Sequence, residues 1–295
     1  MNANAARTRR SRHQRQRREP QPRVRAKRGR IARTQRTRGS DWRGLVDSVV
    51  CSDALALLRK LPDGCVGLVW IDPPYGNNNG VDDLASARAR DKVAGGRQSG
   101  AIVPIANDDR ESWAMLMPQV LKEINRVLKP DGCCCCCCCC GGGPSPVFAQ
   151  ITFWLDQYHD FFQAVVWDKS ARGNGLGWRY RRNYEFVMVS HKRGGKLRWN
   201  KDRKARPNVL NYRPTDNALH PTQKPELLVE EFILNHTYAG DLVLDCFMGS
   251  GTTLVAAQKL GRHYIGCDIS ADYVALAQKR LAKPYDVPLF DVDAA

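Results

Sequence analysis

The stretch Leu242-Val243-Leu244-Asp245-Cys246-Phe247-Met248-Gly249-Ser250-Gly251-Thr252 decides the fold. Three apolar residues lead to an acid, a glycine-rich turn follows, and the pattern beyond it predicts a helix over 253–260. A second short strand, 264–267, ends at another acid, Asp268, and a helix is expected over 271–281. Strand, turn, helix, strand at this spacing implies parallel strands with crossover helices, an α/β sheet that binds ligands beyond the C-terminal ends of its strands. Glycines let backbone approach a ligand closely, and an acid at the second strand end suits ribose hydroxyls. The turn lacks full G-x-G-x-x-G spacing and the lysine of a phosphate loop, so a nucleoside without pyrophosphate fits it better.

A second strand-end motif lies far upstream. Val66-Gly67-Leu68-Val69-Trp70-Ile71 reads as a buried strand and delivers Asp72-Pro73-Pro74-Tyr75-Gly76 at its end. A carboxylate, fixed carbonyls and one aromatic plate suit a planar base with an amino group. Asp72 accepts one amino hydrogen, the Pro73 carbonyl the other, Tyr75 stacks on the ring, and Pro73 and Pro74 hold the acceptors still. An ordinary Asp has a pKa near ~3.9, so Asp72 serves as an acceptor rather than a strong base. The competing reading is a Pro-Pro turn that only ends a strand.

The order of these motifs resembles a known family. Asp72-Pro-Pro-Tyr75 comes first, a basic segment next, then His220-Pro-Thr-Gln-Lys-Pro225 and Asp245-Cys-Phe-Met-Gly-Ser-Gly-Thr-Thr253, over roughly residues 45 to 282. This is similar to the β group of DNA amino-methyltransferases. The resemblance implies a Rossmann-like sheet with circularly permuted motif order and helices on both faces, and S-adenosylmethionine as cofactor. It places the catalytic residues at Asp72, Pro73, Pro74 and Tyr75. Asp245, Phe247, Gly249, Ser250, Gly251 and Thr252 would hold the methionine and ribose side of the donor, Asp268 its ribose hydroxyls, Asp53 its adenine edge, and Lys224, with Thr222, its carboxylate. Cys246 stands where the family usually has Pro.

The resemblance also implies double-stranded DNA as substrate, with the target base flipped out of the helix. Adenine N6 is the expected acceptor because the loop begins with Asp72, and cytosine N4 is the runner-up. Methylation of RNA or a protein amide is disfavoured by motif order, and a catalytically inactive DNA-binding protein is the reading from another class. A homodimer and a cognate restriction endonuclease are compatible partners.

Charge sharpens the organisation. Of the formal +16, residues 1–40 carry nearly all, with fifteen Lys/Arg against Glu19 alone. That tail has no hydrophobic periodicity and is expected to stay disordered, with phosphates as its natural partner. Residues 41–168 form the expected catalytic half, 169–219 a basic target-recognition insert, 220–283 the donor-binding half and 284–295 a C-terminal tail. Within the insert Arg179, Arg181, Arg182, Arg198 and Arg203 are candidates for DNA contact. No apolar run of membrane length and no secretory signal is found, so the expected setting is the cytoplasm of a bacterium or a phage host.

Cys51, Cys65, Cys246 and Cys267 read as small buried hydrophobes. The run Cys133 to Cys140 occupies the place of a strand. Consecutive residues on a strand point to opposite faces, so the run suits neither disulfides nor zinc, and no metal is expected. A weakened sheet is expected at this point.

Overall fold

The computed structural model describes residues 42–74, 110–138, 147–169, 183–215 and 223–283. Tyr75, Arg179, Arg181, Arg182, Thr222 and the two tails lie outside the described residues. Among those described, eight strands make one sheet: β1 (Ser48–Cys51), β2 (Val66–Ile71), β3 (Leu128–Cys138), β4 (Asp160–Asp168), β5 (Tyr184–His191), β6 (Val209–Asn211), β7 (Leu242–Asp245) and β8 (His263–Asp268). Their spatial order is β1-β8-β7-β2-β3-β5-β4-β6. The first five in that order run parallel, β5 alone is reversed, and β4 and β6 resume the common direction.

Helices cover both faces. Helices α1 (Ala54–Leu58), α2 (Arg110–Val127) and α3 (Val147–Tyr158) pack on one, and α4 (Glu226–His236), α5 (Thr252–Lys259) and α6 (Ala271–Leu281) on the other. This double cover explains why β2 is apolar without alternation: all six of its residues are buried, Val69 and Ile71 toward α2, Leu68 and Trp70 toward α4. Each such aliphatic side chain contributes about 1.5–3 kcal/mol by leaving water.

The cysteine run corrects the expectation of a weakened sheet. Cys133–Cys138 pairs with β5 on one side, and Cys133–Cys136 with β2 on the other. Cys134 and Cys136 point toward the α1–α3 face, and Cys133, Cys135 and Cys137 toward the α4–α6 face, all five fully buried. A protonated thiol is a small hydrophobe, and burial pushes the thiols of Cys134 and Cys135 well above their ordinary value, so the run keeps its apolar character. Lys129 to Gly132, whose Pro-Asp-Gly reads as a helix stop, bulge within β3 where the pairing slips between Leu128 and Cys133.

The basic segment does not stand apart from the sheet. Its strand β5 is central, flanked by β3 and β4, and Lys192 behind it caps α2 by donating to the carbonyls of Asn125, Arg126 and Leu128. Helix α3 and strand β6 are additions to the elements expected from sequence.

Candidate active site

Chain order reverses between β7 and β2, which are neighbours through Leu68–Val243 and Val69–Leu244 although far apart in sequence. The crevice of such a sheet opens where the direction of winding changes. Asp72 follows β2 there, Asp245 closes β7, Asp268 closes β8, and Asp53 follows β1. Four acids at four strand ends therefore share one edge.

The turn after β7 is held by its own hydrogen bonds. The Phe247 N–H donates to Asp245 Oδ1 at 3.0 Å, the Gly249 N–H to Asp268 Oδ2 at 3.0 Å, and the Gly251 N–H to the Met248 carbonyl at 2.8 Å. These donors are spent inside the protein rather than left for a phosphate. Gly251 has φ +79°, and a Cβ there would lie 2.7 Å from the Ala277 Cβ, so only glycine lets α5 begin this close to α6. Ser250 and Thr252 face the same way: Arg280 Nη1 donates to Ser250 O at 2.7 Å, Ser250 Oγ at 3.2 Å and Thr252 Oγ1 at 3.1 Å. Their hydroxyls brace the turn from behind.

Asp53 caps α1, its Oδ1 accepting from Leu55 N–H at 2.8 Å and Ala56 N–H at 3.1 Å. Asp268 also accepts the Ser270 N–H, at Oδ1. Both carboxylates are thus fixed in place. Asp245 is buried, which pushes its pKa up to about 7; hydrogen bonds from Thr253 and the Phe247 N–H pull it down, and the charges of Asp72 and Asp268 push it further up.

Lys224 lies just before α4 and reaches across the sheet edge. Its ammonium donates to Asp72 Oδ2 at 2.6 Å and lies 3.5 Å from Glu185 Oε2. Glu185, at the start of the reversed strand β5, also takes the Lys169 ammonium, which sits over the Trp167 ring. Asp72, Lys224, Glu185 and Lys169 form a chain of alternating charges, its two middle members almost fully buried. Such a chain holds every member in one rotamer, because losing a partner leaves an uncompensated buried charge. Glu185, Lys169 and Arg280 are residues that motif and spacing alone do not single out. Glu185 carries one usable signal, as one of only three acids in the basic segment.

Arg198 and Arg203 lie elsewhere. Arg198 pairs with Asp131, at the bulge that opens β3, and with Asp241, just before β7; Arg203 pairs with Glu231 of α4 at 2.9 Å, as does Arg206 at 2.6 Å. Arg198 closes the N-terminal edge of the sheet, opposite the four acids, and Arg203 and Arg206 lie along α4, so the structure does not bring them to the site.

A site of this composition suits a ligand carrying cationic and hydroxyl groups and a carboxylate, since it offers fixed acids and one lysine. Residues 66–279 match the DNA methylase family. The Type II methyltransferase M2.DpnII of Streptococcus pneumoniae is 29% identical over 249 residues, covering 79% of this chain and 88% of that protein. The DNA adenine methyltransferase YhdJ of Escherichia coli K12 is 26% identical, over 79% of this chain and 82% of its own length. Among solved structures, the Thermus thermophilus protein TTHA0409 complexed with S-adenosyl-L-methionine superposes with a TM-score of 0.58 at 22% identity, over 82% of this chain and 95% of that one.

Proposed function

This chain belongs to the DNA methylase family, and from that premise we propose that it transfers a methyl group from S-adenosylmethionine to adenine N6 in duplex DNA at a defined sequence. The observation that carries the reading is the shared edge of β2 and β7, where the Asp72 loop and the Asp245 turn lie side by side. The adenine assignment is supported by the acid that opens the loop and by the similarity to an adenine methyltransferase.

When bound, S-adenosylmethionine supplies an activated sulfonium methyl. Asp268 and Asp53, each held by backbone N–H groups, would hold its hydroxyls and adenine edge, and Lys224 would hold its carboxylate. The flipped adenine presents its amino group to Asp72 and to the Pro73 carbonyl, with Tyr75 as stacking plate. Asp72 comes to this task already oriented by Lys224, so alignment costs little at the moment of reaction. The methyl would pass from sulfur to the amino nitrogen, the S–CH3 electron pair staying on sulfur as a neutral thioether, and the nitrogen would shed one proton along the hydrogen bond to Asp72 or to water. Unstacking the base costs a few kcal/mol, offset by the pocket.

The target-recognition role of segment 169–219 is carried in this proposal by Arg179, Arg181 and Arg182 rather than by Arg198 or Arg203. The similarity to a Type II enzyme supports a paired restriction endonuclease as the setting. Among the described residues no helix is long and apolar enough to cross a membrane.

The test is expression in a host free of DNA methylation, followed by long-read modification mapping beside Asp72→Ala. A sequence-specific N6-methyladenine signal present only in the wild type is expected. Identical maps would overturn the enzyme reading, and a uniform cytosine signal would move the target to N4.

A further inference from the structure

Neighbouring cysteines on a strand cannot share a metal, but alternate ones can. Cys133 and Cys135 stand on the same face of β3, and their Sγ atoms are 3.7 Å apart. Tetrahedral zinc with bonds of about 2.3 Å to sulfur separates two thiolates by about 3.8 Å. The third corner is already there. His236, in the last turn of α4, brings a ring nitrogen close enough that all three ligand atoms lie within 4.8 Å of one another, and all three residues are buried.

The imidazole is prepared for this task. Its Nδ1 lies 2.8 Å from the Arg198 carbonyl, the kind of backbone partner that metal-binding histidines use to fix ring and tautomer, which leaves Nε2 for the metal. Phe232 stacks on the ring and Trp199 meets its face edge-on. A way in exists as well: His236 stands in the wall of a cavity of about 490 Å³ that reaches past Trp199 and Phe162, both partly open to solvent.

We infer that Cys133, Cys135 and His236 form a structural site for a soft divalent cation, zinc above others, that ties strand β3 to the end of helix α4. Two thiolates and a neutral imidazole around Zn²⁺ carry no net charge, whereas Cu⁺ in the same cage leaves one negative charge in an apolar interior. Binding forms two S–Zn bonds and one N–Zn bond and releases two thiol protons to solvent; water entering from the cavity completes the tetrahedron.

The experiment uses the purified full-length chain stripped with chelator and titrated with Co²⁺, then Zn²⁺. About one equivalent of Co²⁺ is expected to give sulfur-to-cobalt charge-transfer absorption and tetrahedral visible bands, both abolished by Zn²⁺, with a higher Tm for the zinc form. His236→Gln and Cys135→Ser should each weaken the cobalt signal at least tenfold, while Cys134→Ala, on the opposite face, should keep it. A folded wild type that gives no charge-transfer band overturns the proposal without recourse to variants. So does a band that persists in His236→Gln but disappears in Cys134→Ala, which would place the metal on the other face. Neither readout depends on methyl transfer.

Discussion

The two ends of the sheet are built from the same material and do different things. At the C-terminal edge Asp72, Lys224, Glu185 and Lys169 alternate in charge beside the acids of β7 and β8. At the N-terminal edge Arg198, Lys129, Asp131 and Asp241 alternate in the same way, with Asp241 accepting from both cations. The difference lies in what surrounds the charges. The first set sits where strand order reverses and a crevice must open; the second sits where loops return and the edge must close. An ion-pair network is therefore evidence of rigidity in both places and of function only in the first.

Breaking the comparison at its first edge gives the largest effect. Asp72→Ala is expected to lower methyl transfer by about 100-fold or more, by removing a preorganised acceptor. Only a modest fall in Tm should accompany it, because Lys224 keeps Glu185 as a partner. Steady-state transfer and thermal melting on the same sample check this.

At the second edge the signs exchange. Arg198→Ala leaves Asp131, which is half open to solvent, without its guanidinium, while Asp241 keeps Lys129, and should cost about 1 kcal/mol of stability in denaturant titration. Transfer per folded molecule and the salt dependence of DNA affinity should not change. A flatter salt slope would return Arg198 to the DNA interface.

Asp245 offers a pH-dependent contrast. Its folded pKa of about 7 lies above the unfolded value near ~3.9, so the proton is held more tightly in the folded state. Stability from this group is therefore present at low pH, falls as pH rises from about 4 to about 7, and is flat above that. Asp245→Asn keeps the acceptor for the Phe247 N–H and should stabilise the protein most at pH 8, on the order of 3 kcal/mol, and least near pH 4. His159 runs the other way: burial lowers its pKa to about 4, so its contribution is lost as pH falls from about 6.5 through 4. Melting of Asp245→Asn and wild type across this range separates the two.

The smallest effect is expected at Arg206, whose guanidinium on Glu231 is partly open to solvent. Arg206→Ala should change stability by less than about 1 kcal/mol in denaturant titration, since Arg203 still pairs with the same carboxylate.

The contrast between the edges also explains what sequence can and cannot reveal. The C-terminal edge is legible because each of its acids ends a strand and is followed by a turn with a fixed local pattern, so Asp72, Asp245 and Asp268 announce their own positions. Lys224 is legible only through the motif around it, and its pairing with Asp72 is not, because that contact joins residues far apart in sequence. The N-terminal edge has no local pattern at all. Arg198 and Arg203 look like any arginines of a basic segment until the fold brings Asp241 and Glu231 to them. The cysteine run fails in a third way: residue identity suggests chemistry or disruption, whereas alternation and burial make it a strand. Helix α3 is obscured by the anomalous run just before it, although Phe148, Ile151, Thr152 and Leu155 fall at plain helical spacing.

The most direct measurement incubates purified protein with duplex DNA and methyl-labelled S-adenosylmethionine and then identifies labelled nucleosides by mass spectrometry, for wild type, Asp72→Ala and Arg198→Ala in parallel. Labelled N6-methyldeoxyadenosine is predicted from the wild type and, per folded molecule, equally from Arg198→Ala, with almost none from Asp72→Ala. Equal labelling by Asp72→Ala and wild type, or loss of labelling in a folded Arg198→Ala, would contradict the division of the sheet into a working edge and a closing one.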